Sequence, residues 1–157
     1  MSDLNIPLRL NLREGTQTGA IVGDYHYPFH DPRTVKIVDS FLEELQPNFL
    51  IYNGDLGDFY QVSVFAKDPA RIAHLQSDID MVRKMFTKHK TALPNARRIF
   101  ISGTHEYRFE KFLWTKAAEL SSLYCLSIPK LYQLEDYEID YIPFEKGLLI
   151  NRVFLVL

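Results

Sequence analysis

The chain has a single cysteine among its 157 residues, Cys125, so no intrachain disulfide can form. Its surroundings, Ser-Leu-Tyr-Cys-Leu-Ser, hold no basic group to support a thiolate, and a buried, inert thiol is the expectation. No apolar run approaches the ~20 residues that a membrane-spanning helix needs. Met1 to Gly15 is polar and lacks the apolar core of a secretory signal. These absences predict a reducing, cytoplasmic setting and no membrane partner. An excess of either charge is also missing. The 18 Lys and Arg against 20 Asp and Glu leave a formal net charge of −2. No global field draws the chain to a polyanion or an anionic surface, which speaks against a plain nucleic-acid binding module. The densest basic stretches, Arg97-Arg98 and Arg83 to Lys90, read as solvated helix faces.

What is present is an ordinary globular composition, 46% hydrophobic and 24% charged, in a chain long enough for one domain with a real core. One design recurs three times. Ala20-Ile-Val-Gly-Asp24-Tyr-His26, Phe49-Leu-Ile-Tyr-Asn-Gly54-Asp55-Leu-Gly-Asp58 and Ile99-Phe-Ile-Ser-Gly103-Thr104-His105-Glu106 each run from apolar residues into a glycine turn. Each apolar run reads as a strand buried on both faces, and each turn delivers Asp, His or Glu. Sites in open α/β sheets form outside the carboxyl ends of parallel strands, so the three turns are expected to converge on one crevice.

Helical signals separate the runs. Asp31-Pro32 pairs a capping carboxylate with proline at the first helical position. Val35, Val38, Phe41, Leu42 and Leu45 then recur at helical spacing until Pro47. Asp68-Pro69 repeats the start signal, and Ile72, Leu75, Ile79, Val82 and Phe86 mark a long helix to about Thr91. A third helix is expected from about Glu106 to Leu120, with Phe109, Phe112, Leu113, Ala117 and Leu120 inward. Strand-helix alternation predicts an α/β fold with a parallel sheet. The tail differs: Glu138 to Ile142 alternates, and Gly147 to Ile150 and Val153 to Leu157 flank Asn151-Arg152 as in a hairpin, which predicts a second, antiparallel or mixed sheet. An edge strand or arm is expected around Leu8 to Leu12.

Asp24 and His26 stand at i, i+2 of an extended segment and can point two donors at one ion. Asp55 follows the second strand directly. Two carboxylates and an imidazole suit Zn, Mn or Fe. Gly23-Asp24-Tyr-His26, Gly54-Asp55-Leu-Gly-Asp58 and Gly103-Thr104-His105-Glu106 together resemble the first three motifs of the calcineurin-like metallophosphoesterases, in order and after strands. The resemblance covers residues 18 to 110 well and the tail by strand pattern only. It implies a β-sandwich flanked by helices and metal-dependent hydrolysis of a phosphomonoester or phosphodiester, the substrate class including nucleotides and nucleic acid, with a metal-activated water attacking phosphorus in line. It further implies that Asp24 and His26 bind a first metal and that Asp55 bridges two. His105 would stand near the leaving oxygen as acid or charge stabiliser, with Asp58 and Glu106 orienting the histidines or nearby backbone. Arg108 is a candidate for meeting a substrate phosphate, and a surface ion pair is the competing reading.

Two departures from the family pattern carry consequences. Thr104 stands where the family has a metal-binding Asn, and a hydroxyl is the poorer neutral ligand. The later histidine motifs are missing from this sequence, so the chain reads as a single, incomplete domain with one metal site and a doubtful second. The alternative reading is a truncated or split, catalytically impaired relative that needs a complementing C-terminal segment or self-association through exposed C-terminal strands. Plain readings compete at single positions. Asp24 and Asp55 can be turn formers or caps, and His105 can cap a helix. His30 is expected to bond within its own loop, and His74 and His89 to be solvated. Tyr27, Phe29, Phe59 and Tyr60 can wall a pocket or pack in the core.

Overall fold

The structure, a computed structural model, describes residues 8–10, 15–71, 74–150 and 154–156; for 8–10, 71 and 154–156 it describes the backbone alone. Four strands, β2 (Gly19–Val22), β3 (Phe49–Asn53), β4 (Arg97–Ile101) and β5 (Ile139–Ile142), form one parallel sheet in sequential order. Helix α1 (Pro32–Leu45) connects β2 to β3, α2 (Leu75–Ala92) connects β3 to β4, and α3 (Thr104–Lys116) follows β4. Before them lies β1 (Leu8–Leu10); after them come the short α4 (Ile128–Leu131), β6 (Leu148–Ile150) and β7 (Phe154–Val156). The last two pair antiparallel, and β1 joins β6 in parallel, so the second sheet is mixed, as its hairpin pattern predicts. Residues 11, 12, 151–153 and 157 of the expected tail and edge elements lie outside the described residues. The alternating segment Ile139–Ile142 belongs to the first sheet, where it extends the parallel register beside β4.

Strand alternation splits the core in two. Leu50, Tyr52, Phe100 and Ile139 face the helices, together with Leu42, Ile79, Val82, Met85 and Phe86. Phe49, Ile51, Ile99, Ile101 and Ile142 face the other way, against Leu148 and Ile150 of β6. Strands β3 and β4 are therefore buried on both faces, as long apolar runs must be. Strand β2 is not. It is the edge of the sheet, and Ile21 is 55% exposed on the side that β6 covers elsewhere. The C-terminal side chains of β6 depart from expectation in the opposite sense: β6 lies between β1 and β7, and Leu148 and Ile150 are buried rather than exposed.

Helix α1 starts as its sequence predicts, with Asp31 accepting from the Arg33 and Thr34 backbone N–H groups and Pro32 in the first turn. Its apolar stripe is less buried than the spacing implies. Leu42 is buried, but Phe41 and Ile37 face solvent. Polar bonds hold the helix instead. Asp39, buried, accepts from His89 Nε2 at 2.9 Å and Lys88 Nζ at 2.7 Å, and His89 Nδ1 meets the Tyr52 hydroxyl at 3.1 Å. Burial pushes the Asp39 carboxyl up, and the bonds from His89 and Lys88 outweigh it and hold it below its ordinary value. His89 is thus a buried bridge between α1, α2 and β3, not a solvated residue, because its α2 position faces the Asp39 carboxylate. Cys125, expected inside, is exposed, in a 3-10 turn at Tyr124–Leu126. The Asp68-Pro69 signal yields only a 3-10 turn at Pro69–Arg71, and α2 begins at Leu75. Helix α3 stops at Lys116, and Leu120, in the 3-10 turn that follows, is exposed.

Asp78, in the first turn of α2, supports the turn after β3. Its carboxylate is fully buried and accepts from the Phe59 backbone N–H at 3.1 Å and from Gln61 Nε2 at 3.2 Å. Burial pushes its pKa up from 3.8 to about 6, against the pull of those two bonds. The folded state then binds the proton more tightly than the unfolded chain. This group's contribution to stability is largest below about pH 4 and falls as pH rises through about 6. Asp78→Asn removes that slope. The wild-type minus variant difference in unfolding free energy, from urea titrations, should fall by about 2 kcal/mol between acidic and neutral pH. A difference that stays constant over this range would contradict the assignment.

Candidate metal centre

The turns after β2 and β3 continue the ladder of their strands. Asp24 N donates to Gly54 O at 3.2 Å, His26 N to Asp55 O at 3.0 Å, Tyr27 N to Leu56 O at 2.8 Å and Asp58 N to Tyr27 O at 2.9 Å. The two loops therefore run side by side beyond the sheet, and their side chains emerge in register. Asp24, His26, Asp55 and Phe59 all hold left-handed backbone, with φ of 56°, 49°, 51° and 53°. Asp tolerates that region better than most residues, and neither His nor Phe favours it. Such conformations persist where the surroundings enforce them, and they gather at functional sites.

The turn after β4 meets the others through glycine. A Cβ on Gly103 would overlap the Asp55 backbone nitrogen and carboxylate, and one on Gly54, itself at φ 72°, would come within 2.5 Å of the Gly103 Cα. Two backbones touch here, which only glycine allows. The contact brings Asp55 against the start of α3. Its Oδ1 accepts from His105 N at 2.8 Å, and its carboxylate takes the Thr104 hydroxyl proton at 3.1 Å. Beneath, Glu106 is fully buried. It accepts from the backbone N–H groups of Asp55 (2.9 Å), Leu56 (2.9 Å), Gly57 (3.3 Å) and Gly103 (3.1 Å), and from the Tyr132 hydroxyl (3.1 Å). Burial and the Asp55 charge raise its pKa, and the backbone donors pull the other way.

In front of this clamp, His26, Asp55 and His105 each present a ligand atom, all within 4.8 Å of one another. The two imidazoles meet edge to face with centroids 4.5 Å apart. Asp58 lies between them, Oδ2 at 3.5 Å from Nδ1 of each ring. His105 Nδ1 donates to the Asp58 carbonyl at 2.8 Å, and Arg108 donates to the same carbonyl at 3.1 Å and to His105 Nε2 at 3.1 Å. His26 Nδ1 is buried and makes no hydrogen bond. Asp24 stands outside the group of three, largely exposed, with Oδ1 at 3.6 Å from His26 Nε2.

The donor set suits a cation. Two imidazoles and a carboxylate are borderline ligands of the kind Zn, Mn and Fe take. Of the residues singled out in the sequence, His26, Asp55 and His105 converge, with Asp58 and Arg108 in contact, Asp24 alongside and Glu106 behind. Thr104 spends its hydroxyl on Asp55. Among the aromatics, Tyr27 and Phe59 are core residues, whereas Phe29 and Tyr60 meet edge to face at the surface. His30 Nδ1 lies 3.2 Å from the Pro28 carbonyl, within its own loop as expected. Tyr132 and Asp78, which hold the site loops from behind, carry no motif that would reveal them. Two clefts flank the centre: one of about 380 Å³ beside Asp24, His30 and Val38, the other of about 560 Å³ beside Thr104 and Arg108. Comparison of the chain with protein-family models, curated proteins and solved structures gives no match.

Two substitutions test this framework. Glu106→Gln places an amide N–H₂ among donors and should lower unfolding free energy by about 2 kcal/mol or more, since each orphaned buried donor costs about 1–3 kcal/mol. Unchanged denaturant stability would refute the clamp. Gly103→Ala forces apart the second and third loops and should cost about 1–3 kcal/mol as overpacking does. It should also weaken metal binding, measured by calorimetry; wild-type affinity would mean that the two loops need not touch.

Proposed function

We infer that the chain is a metallophosphoesterase-like domain that hydrolyses phosphate esters with a divalent transition metal. The observation that carries this reading is the convergence of His26, Asp55 and His105 from three successive strand ends, the first two on backbone held in left-handed conformations. The order and spacing of the three motifs support it further, since Asp, His and a Gly-x-His turn after successive parallel strands resemble the calcineurin-like enzymes.

The metal, when bound, would lower the pKa of a water and polarise the phosphoryl oxygen. His26 and Asp55 would hold it; Asp24 stands beside His26, outside the group of three. Asp58 and the Asp58 carbonyl orient the rings of His26 and His105, as outer partners of metal ligands do. Arg108 would meet the phosphate: its guanidinium donates to a carbonyl and a ring nitrogen and pairs with the Asp58 carboxylate at 3.8 Å, and a phosphate can offer closer charge-assisted acceptors. Its move toward phosphate would free His105 Nε2 to take up a proton from solvent, and the ring, protonated there, could then donate that proton to the leaving oxygen. Among the described residues a second ion would find Asp55 and the Thr104 hydroxyl already bonded to it, so its further ligands would come from elsewhere or from another copy of the chain.

Calorimetry with Mn²⁺ should give about one ion per chain, a count set by the ligand inventory. Hydrolysis of bis(p-nitrophenyl) phosphate should require Mn²⁺ or Zn²⁺, stop with chelator, and fall at least about 100-fold in Asp55→Asn, the scale expected for loss of a catalytic charge. Turnover that survives chelation or Asp55→Asn would overturn the reading, and two ions per isolated chain would overturn the ligand count.

A further inference from the structure

The 560 Å³ cleft beside Thr104 and Arg108 has a composition unlike the rest of the surface. One wall is a face of α3, on which Thr104, Arg108, Lys111, Thr115 and Lys116 follow at helical spacing. The other is the segment after the second site loop, with Val62, Val64 and Lys67. The floor is apolar, with Tyr107 and Phe112. No carboxylate lines it, although acidic residues outnumber basic ones in the chain. Lys111 and Lys116 are exposed, and neither ammonium makes an ion pair or hydrogen bond to another described residue. At the rim Val64 is 86% exposed and Phe65 74% exposed. Free cations and uncovered apolar side chains along one groove complement a ligand that is both anionic and apolar.

The groove is also long. From Thr104 to Lys116 α3 rises about 18 Å, and the cations Arg108, Lys111 and Lys116 are distributed along it. One phosphate cannot meet all three, so a single nucleotide leaves the far lysine unused. The groove opens directly at the metal centre, since Thr104 and Arg108 belong to both. We propose that this groove binds a single strand of nucleic acid, with one phosphate at the metal centre beside Arg108, successive phosphates along Lys111 and Lys116, and bases against the apolar wall. Single strands are held in this way elsewhere: cations track the backbone while apolar and aromatic surface takes the bases without reading sequence. Cations confined to one helix face can track one backbone, which suits a single strand rather than a duplex.

The inference rests on the phosphoesterase reading for its terminal phosphate, but its test does not need turnover. The full chain is titrated into fluorescein-labelled oligothymidylate in the presence of chelator, and anisotropy is read at several salt concentrations. Binding should weaken as salt rises, with a slope that reports the phosphates neutralised. Lys111→Glu/Lys116→Glu, at exposed positions, should reduce affinity at least about tenfold and flatten the salt slope, as loss of phosphate contacts does. Thr115→Trp, which fills the groove without changing charge, should reduce affinity as well. No binding of the oligonucleotide would overturn the proposal. So would unchanged affinity in both variants, equal affinity for thymidine monophosphate, or tighter binding of the duplex. If the oligonucleotide binds as described but bis(p-nitrophenyl) phosphate is never hydrolysed, the hydrolase reading fails and the groove stands; hydrolysis without oligonucleotide binding has the opposite meaning.

Discussion

A single buried carboxylate organises the end of this fold where His26, Asp55 and His105 meet. Glu106 collects four backbone N–H groups and a tyrosine hydroxyl, drawn from the second loop, the third loop and the segment around Tyr132. In an apolar interior each of those donors needs a partner, and the alternatives are costly. The second loop cannot supply its own partners, because Asp55 and Gly54 hold left-handed backbone and its N–H groups turn inward. Without Glu106 the loop has no reason to keep the conformation that aims Asp55 at the two histidines. The clamp thus ties a question of folding to a question of chemistry.

Around it, backbone pairing replaces side-chain packing as the source of precision. The first two loops exchange hydrogen bonds as strands do, and the third approaches through the Gly54–Gly103 contact. Asp78 fixes the exit of the second loop at Phe59, and His105 is held by a carbonyl on one side and a guanidinium on the other. Positions set by main-chain bonds tolerate little rotamer freedom, which is what a group of ligands needs.

The legible parts of this architecture were those with local causes. Asp31-Pro32 begins α1 because cap and proline act within one turn. The three strands were readable as apolar runs, and the ends of β3 and β4 followed from the glycines beyond them. Convergence of His26, Asp55 and His105 followed from parallel topology. What the sequence concealed depends on distant partners. His89 looks like a polar-face residue until Asp39 and Tyr52 are placed around it. Phe41 repeats at core spacing, yet α1 turns it outward because the helix is held through Asp39. Ile21 belongs to an apolar run like the others, and only the strand order makes it an edge. Tyr132 sits in an unremarkable stretch, and its hydroxyl acquires meaning only against Glu106. Asp24 is the instructive partial case: its loop was recognisable, but its carboxylate lies outside the group of three.

The distance along the chain between the clamp and what it holds bears on how the molecule is made. Glu106 lies 50 residues beyond Leu56, and Tyr132 lies 26 beyond Glu106. On a ribosome, where chains lengthen by about 5–20 residues per second, β2, α1 and β3 emerge and can pair while the second loop still lacks its acceptor. For that interval the donors of residues 55–57 face water, and the aspartate is free to adopt ordinary backbone. The group of His26, Asp55 and His105 is therefore completed only when the start of α3 docks, and the clamp beneath it is closed when Tyr132 arrives. A nascent chain with β2 and β3 paired has the start of the sheet without the group of three.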